Sequence, residues 1–335
     1  MAIKSSGSSL SFSEIEAEFG QNGGRSLGAY RLTQSVGSLS NLPLDTGIPT
    51  SGQIKFSDFY AKQLNVVVNC HSGSREDRKS AKNDKWNNND VTVIGGFRSK
   101  KESGSRILIN VNKKFCSDKS DVQHVALRTG SWDSTATVQV DVGSNGEILG
   151  AGGDGGKGAD GINNNGDPGS PGTSALGIDH NNVTVNIASG AVLRAGFGGG
   201  GGGGGGRQTD KRRDRRAGGG GGGGGAGCPA GSGGQGGDTG GGFGSGAGQP
   251  GGAGSETTGG GGGGGGNNAG QAGGGSGGSG GQASGNAGAG TNRNTSGGSG
   301  GGNGAAIRRT SGFTVNIDSA SLSRCQGDTT ATGVN

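Results

Sequence analysis

At 335 residues, with 26% hydrophobic and 4% aromatic side chains, the chain holds material for one conventional hydrophobic core and no more. Its formal charge of +5 is concentrated locally, with six cations against Asp210 and Asp214 inside 207–216, which argues against a global affinity for nucleic acid. No run approaches the ~18 apolar residues of a membrane span, and the opening MAIKSSGSSLSFSEIEAEFG lacks the apolar stretch of a secretion signal, so a soluble, cytoplasmically made chain without membrane insertion is expected.

Residues 1–62 read as a small helical module. In SFSEIEAEFG, Ser13 precedes Glu16 by the three residues of a capping box, and Gly20 can end the helix. A second short helix is expected from Ser57 through DFYAKQL. Sixty residues with so few large apolar side chains would be marginal alone, so the module should dock against a partner.

From 63 to 148 the pattern becomes β. LNVVVNC, VTVIGGF, SRILINVNKKF, VQHVALRTG and STATVQVDVG are β-branched runs separated by polar turn residues, and they suggest a jelly-roll-like β-sandwich. Trp86, Trp132, Phe56 and Phe59 fit core or docking roles better than sugar platforms. An internal repeat follows: TVQVDVGSNGEILGAGG, VTVNIASGAVLRAGFGG and FTVNIDSASLSR share alternating apolar residues and a small-residue turn. Val185, Asn186 and Ile187 align with Val315, Asn316 and Ile317, and Val140 and Val142 hold the matching places in the first copy.

Residues 149–335 form a glycine-rich domain with strands near 183–194 and 313–324. Between them, 58 of the 110 residues from 195 to 304 are glycine. A flexible linker of that length would span roughly 60 Å between its ends. The ordered alternative is a bundle of polyglycine-II helices, with three residues per turn and no internal hydrogen bonds, whose amides and carbonyls are satisfied by neighbouring helices. That bundle predicts side chains at every third residue on exposed edges, as at Asp154, Lys157 and Asp160, at Ser232, Gln235 and Asp238, and at Ser276, Ser279 and Gln282. Strict Gly-X-Y is absent and there are six prolines, which disfavours collagen. Gly198–Gly206 would span about 28 Å at ~3.1 Å per residue, and Gly218–Gly225 could return beside it, leaving 207–217 as a charged loop at one tip. Further tips are expected at Ser255–Thr258, Asn267–Gln271 and Thr291–Thr295. Phe197 and Phe243 could plug a bundle end or touch a ligand.

Chemical motifs carry little weight. Gly-x-Gly-x-x-Gly is satisfied trivially by polyglycine, and no glycine run ends in Gly-Lys-Ser/Thr. Cys70, Cys116, Cys228 and Cys325 lie far apart without CxxC or Cys/His spacing, so four separate thiols are expected, with no metal site and no disulfide framework. His71, His124 and His180 are isolated. Neither an enzyme nor a cofactor is indicated. For Arg207, Lys211, Arg212, Arg213, Arg215 and Arg216, a solvated loop competes with capture of anionic groups such as those of an envelope polysaccharide. RNA binding is disfavoured by the scarcity of aromatics and of Arg-Gly-Gly repeats.

SGSSLSFSEIEAEFG, SLGAYR and LPLDTGIPTSGQIKFSDFY resemble the N-terminal module of virion proteins of tailed bacteriophages, cyanophages in particular. ALRTGSW, DVGSNGEILGAGGDGGKG, SALGI and SGAVLRAGFGGGGGGGGG resemble the glycine-rich part of phage tail fibres and adhesins. The resemblance implies a virion protein of the tail, fibre or baseplate, with other fibre proteins and a host cell-surface receptor as partners. Its first module would attach to the virion, with Phe12, Ile15, Phe19, Phe56, Phe59 and Tyr60 as candidate contacts. Its polyglycine loops would meet the receptor, with the six basic residues above and Glu256, Asn267, Asn268 and Arg293 as candidates. The alternative is a purely structural baseplate, neck or collar spacer. An ice-binding protein would need a flat Thr/Ala face that is not found. A homo-oligomer is left open, although nothing resembles a coiled-coil heptad.

Overall fold

The computed structural model describes residues 3–21, 26–70, 78–81, 91–96, 103–118, 124–210, 213–240, 246–266 and 294–334. Strand (28%) outweighs helix (8%), so the chain is mainly β.

The first helix, α1 (Phe12–Phe19), is capped by Ser11, two residues before the expected cap. Ser13–Glu16 and Ser11–Glu14 share the capping-box spacing, and the earlier pair is used: Glu14 N donates to Ser11 Oγ at 3.3 Å and Ser11 N donates to Glu14 Oε2 at 2.7 Å. Gly20 ends the helix at φ 94°, its amide bonded to the Glu16 carbonyl. The helix expected from Ser57 is a single 3-10 turn, Phe56–Phe59, after which Ala61 adopts a left-handed φ of 56° that a helix cannot continue through. A hairpin of β1 (Thr33–Val36) and β2 (Leu39–Pro43) completes the module. Phe19, Tyr30 and Phe59 meet tilted or edge-on at 5.6–6.2 Å between ring centroids, and Tyr30 Oη donates to the Gly20 carbonyl.

Beyond it the chain winds as a three-sided parallel solenoid, and this corrects the expected jelly-roll sandwich. The first turn supplies β3 (Asn65–Asn69), β4 (Arg78–Ala81) and β5 (Val91–Val93); the second β6 (Arg106–Val111), β7 (Lys114–Ser117) and β8 (Val125–Arg128); the third β9 (Thr137–Val142), β10 (Glu147–Leu149) and β11 (Ser174–Ile178). The fourth turn has β12 (Val183–Ile187) and β13 (Val192–Arg194), then a tip hairpin of β14 (Gly206–Asp210) and β15 (Arg213–Ala217), then β16 (Ile307–Arg309). The last has β17 (Val315–Ile317), the short α2 (Ser319–Leu322), β18 (Cys325–Gln326) and β19 (Ala331–Thr332). Corresponding strands stack into three sheets, β5-β3-β6-β9-β12-β17, β4-β7-β10-β13-β18 and β8-β11-β16-β19, in which every pair is parallel except β3–β5. A jelly roll is built from antiparallel strands. Apolar alternation fixes which face of a strand is buried and is silent about the direction of its neighbour, so these runs fit a sandwich and a parallel solenoid equally well.

Inward ladders form the core: Val68, Ile109, Val140, Val185 and Ile317 on one side, Phe115, Ile148 and Leu193 on the second, Leu127, Leu176 and Ile307 on the third. The internal repeat is thus the solenoid turn. Its first two copies align as read, but Val315 pairs with Val183 and Ile317 with Val185, two residues from the sequence alignment. A two-residue shift keeps the same face inward, so composition could not reveal it. The same sheets run through the expected boundary at 148–149.

The N-terminal module caps the first turn. Glu18 and Asp45, both about 1% exposed, are spent on that junction: Glu18 Oε1 accepts from Leu64 N, and Asp45 accepts from Gln63 N and from Arg106 Nη1 at 2.8 Å.

Two glycine-rich insertions, 150–173 and 195–306, leave the solenoid at the same corner, between the second and third sheets, in successive turns. Eight extended segments result among the described residues: 150–160, 166–173, 196–205, 218–226, 231–239, 246–254, 260–266 and 294–304. They bond to one another through every third amide. Gly153, Gly156 and Ala159 donate to the carbonyls of Phe197, Gly200 and Gly203, while Gly219, Gly222 and Gly225 donate to Ala159, Gly156 and Gly153, all at 2.8–2.9 Å. Segment 218–226 is bonded to five others, and a Cβ at its Gly219 or Gly222 would lie 1.9 Å from a neighbouring carbonyl oxygen. Side chains occupy the one position in three that faces out, as at Asp154, Lys157 and Asp160 and at Ser232, Gln235 and Asp238. These rows bond to each other: Asp154 Oδ1 accepts from Ser232 N at 2.7 Å and Asp160 Oδ1 from Asp238 N at 2.8 Å. Ser276, Ser279 and Gln282 lie outside the described residues.

Candidate functional site

Because the segments alternate in direction, the turns between them gather at two ends. At the end next to the solenoid, turn 227–230 is joined to β7 by a Cys116–Cys228 disulfide, with Cα atoms 5.1 Å apart. This corrects the expectation of four separate thiols. Folding brings together two cysteines 112 residues apart, and no local spacing announces it. Cys70 and Cys325 are not in a disulfide. Glu256 belongs to this end as well, where its carboxylate lies 2.9 Å from Lys114 Nζ and its carbonyl accepts from Arg194 Nη1. Partial burial opposes the Lys114 charge, but hydrogen bonds from its ammonium to Glu147 and Glu256 hold it above its ordinary pKa. Ser255–Thr258 is therefore a clamp onto the solenoid, contrary to the expectation of a tip.

Among the described residues the far end is built from turn 161–165, hairpin β14–β15, Gly240 and Asn294–Thr295. The hairpin sits where Gly198–Gly206 and Gly218–Gly225 were expected to meet, and it is a paired two-stranded ribbon, with Arg207 opposite Arg216 and Thr209 opposite Asp214. Its base is bonded to neighbouring turns. Arg207 N donates to Asn294 Oδ1 at 2.6 Å, Gly205 N to Thr295 Oγ1 at 2.7 Å, and Arg216 Nη1 to the Gly240 carbonyl at 3.0 Å. Asp160 N donates to Asn164 Oδ1, closing the first turn beside them.

The charge at this end is partly neutralised within it. Arg207 forks onto Asp214 at 2.9 and 3.2 Å, and Arg216 reaches the same carboxylate at 3.2 Å. The hydrogen bonds and charge of Arg207, then those of Arg216, hold the Asp214 carboxyl below the ordinary aspartate range. Arg215 is half-buried, and among the described residues it makes no ion pair. For Arg213 the backbone alone is described. Lys211, Arg212, Asn267, Asn268, Arg293, Phe243, Trp86 and His71 lie outside the described residues. Phe197 is buried where the bundle leaves the solenoid. Asn294 and Thr295 belong to the expected Thr291–Thr295 tip; the Asn163–Asn165 turn was not among the expected tips, although an Asn run between glycine segments is a turn signal.

Of the six residues expected to attach the module elsewhere, Ile15, Phe19 and Phe59 are fully buried in this chain's own core and are unavailable to another protein. Phe12 and Tyr60 are partly exposed and Phe56 is 39% exposed, with Phe12 and Phe56 in edge contact at 5.9 Å. Among the described residues there is no group of three potential metal ligands and no helix long and apolar enough to cross a membrane.

A family model described as phage tail fibre adhesin Gp38 matches residues 78–259, more than half of the chain. Among solved structures the chain is similar to the gp37–gp38 adhesin tip complex of the bacteriophage S16 long tail fiber, at 20% identity and a TM-score of 0.42, over 94% of this chain and 96% of that one. No curated protein matches.

Proposed function

The chain belongs to the phage tail fibre adhesin family described as Gp38, a non-enzymatic family of the virion tail, and from that premise we propose that it recognises the host surface with the far end of its glycine bundle. On this reading the glycine segments are polyglycine-II helices, and their mutual hydrogen bonds hold the turns still. One observation carries the proposal: parts of both insertions converge on one end, where the base of the hairpin bonds to Asn294, Thr295 and Gly240 through Arg207, Gly205 and Arg216, and Asn165 Oδ1 of turn 161–165 accepts from Ser296 N at 3.0 Å. A preorganised set of loops on a stiff scaffold loses little freedom on binding. With Arg207 and Arg216 sharing Asp214, the end retains a positive excess suited to carboxylate or phosphate groups of an anionic surface polysaccharide.

Attachment to other fibre proteins falls, in the same proposal, to the exposed face around Phe12, Phe56 and Tyr60, since the rest of the apolar set is consumed in capping the solenoid. The test is adsorption of the purified chain to host cells, compared with a variant in which Arg207, Lys211, Arg212, Arg213, Arg215 and Arg216 are changed to Ser. Loss of adsorption with an unchanged melting temperature supports the tip; equal adsorption by both proteins overturns the basic-loop assignment.

A further inference from the structure

Away from the glycine bundle, the corner between the third and first sheets carries a cleft of about 620 Å³, inside the ~300–1,000 Å³ range of small-molecule sites. Its walls come from three successive turns of the solenoid: 131–137 between β8 and β9, 179–182 between β11 and β12, and Phe313 before β17. We propose that this cleft is a binding site for a neutral saccharide, with Trp132 and Phe313 as apolar platforms and the side-chain amides of Asn181 and Asn182 as donors.

The chemistry of the wall selects that ligand class. Both aromatic side chains line the cleft, and Trp132 is held in place by its Nε1, which donates to the Thr129 carbonyl at 2.9 Å. Flat apolar rings flanked by short polar side chains match a ligand with an apolar ring face and a hydroxyl rim. The one carboxylate lining the cleft, Asp179, is already committed, accepting from Arg128 Nε at 2.8 Å and Gly130 N at 3.1 Å, so the lining itself holds no uncommitted carboxylate. His180 is also tied, with its Nε2 3.1 Å from the Ala136 carbonyl.

What remains is donors. Asn181 Oδ1 accepts from Thr314 N, Thr314 Oγ1 and Asn182 N, and Asn182 Oδ1 accepts from Asn316 Nδ2. The acceptor end of each amide is therefore used while its NH2 keeps two donors available. A peptide that binds by strand addition needs an open strand edge, and this corner is made of turns. The walls are fixed by internal bonds, so little ordering is left for the ligand to impose.

The test uses the full chain carrying Trp86→Phe, which leaves Trp132 the sole tryptophan of two. Maltohexaose, cellohexaose and mannohexaose are titrated separately while its fluorescence is read. At least one should shift the emission saturably. Trp132→Ala, followed by calorimetry, should weaken that binding by about tenfold or more. Should Trp132→Ala fail to fold, two milder changes serve: Phe313→Leu keeps apolar contact and loses the flat ring, and Asn182→Asp keeps the acceptor for Asn316 and loses the donors. Each should weaken binding severalfold without moving the melting temperature. No saturable signal from any of the three sugars overturns the proposal, as does a signal that survives both mild variants or one produced by a purified fibre protein and not by sugar. The Arg-to-Ser tip variant should bind the sugar unchanged, so this site and the tip reading stand or fall separately.

Discussion

Replacing Gly222 with Ala tests whether backbone contact alone holds the bundle together. The new Cβ would lie 1.9 Å from the Gly200 carbonyl oxygen and 2.5 Å from its carbon, whereas real Cβ contacts stay beyond 3.0 Å, so the two segments must part by about 1 Å. They are joined by Gly200 N to Gly223 O and Gly203 N to Gly220 O, each 2.7 Å. At roughly 3.7 Å these are no longer hydrogen bonds, and every group so orphaned in a buried setting costs about 1–3 kcal/mol. Losing both bonds orphans two amides and two carbonyls, a destabilisation of about 4–12 kcal/mol, against a total stability of about 5–15 kcal/mol for an ordinary domain. Gly261 supplies the control, since nothing lies within 4 Å of a Cβ there. Gly261→Ala should stabilise by about 0.4–1 kcal/mol through the unfolded chain, which loses conformational freedom. Urea denaturation midpoints of the two variants should therefore move in opposite directions. A Gly222→Ala midpoint equal to the parent's, or equal shifts for both variants, would refute the close-packed bundle.

Cys116→Ser with Cys228→Ser, or a reductant, should lower the melting temperature by the equivalent of about 2–5 kcal/mol, because the bond closes a loop of more than 100 residues; differential scanning calorimetry with and without dithiothreitol reads it. Asp214 has a depressed pKa in the folded chain, so its contribution is present above the ordinary aspartate range and is lost as pH falls through the lower folded value; a carboxyl NMR titration should place its midpoint below that of an unfolded aspartate, and Arg207→Ser should move it up. Ile15→Ala, at a fully buried position, should cost about 2–5 kcal/mol, whereas Phe56→Ser should leave the melting temperature nearly unchanged and weaken capture by a purified fibre protein in a pull-down.

What could be read from the chain was whatever depends on a single segment. The three-residue spacing of Asp154, Lys157 and Asp160 was legible because a side chain has room only where a segment has no neighbour, and the structure puts these residues on that outer row. The return of Gly218–Gly225 beside Gly198–Gly206 was legible because the 11-residue insert 207–217 is long enough to turn the chain back. Strand direction was not legible, because Val140 and Val185 show the same alternation in a parallel or an antiparallel sheet. Cys116–Cys228 and Lys114–Glu256 were hidden for the same reason, since each joins the second solenoid turn to a loop more than 100 residues away. The fate of Ile15, Phe19 and Phe59 turned on what covers the first solenoid turn, which no single segment can state.

The solenoid also accounts for how so much glycine becomes ordered. Fixing a glycine backbone costs roughly 1–2 kcal/mol per residue, and apolar burial cannot offset that where there are no side chains. The two outgoing segments, however, begin as continuations of β10 and β13, which are already paired in parallel with Leu149 opposite Arg194. Gly153 to Phe197, Gly156 to Gly200 and Ala159 to Gly203 carry the same parallel pairing outward. The returning segments do likewise toward β11 and β16: Gly166 to Ser296, Gly169 to Ser299 and Gly172 to Gly302 lead into Leu176 opposite Ile307. The roughly 4.8 Å spacing of stacked turns thus sets the first four segments in register before any glycine-only contact forms, and each later segment adds to a template that already presents unpaired amides and carbonyls. Stacking two insertions at one corner supplies a nucleus that neither insertion could form alone. Deleting 150–173 and joining β10 to β11 with a short turn should therefore loosen the bundle made by 195–306 as well, and amide exchange at Gly219, Gly222 and Gly225, whose acceptors lie in the deleted segment, should accelerate. Retained protection at those three amides would show that the larger insertion orders itself.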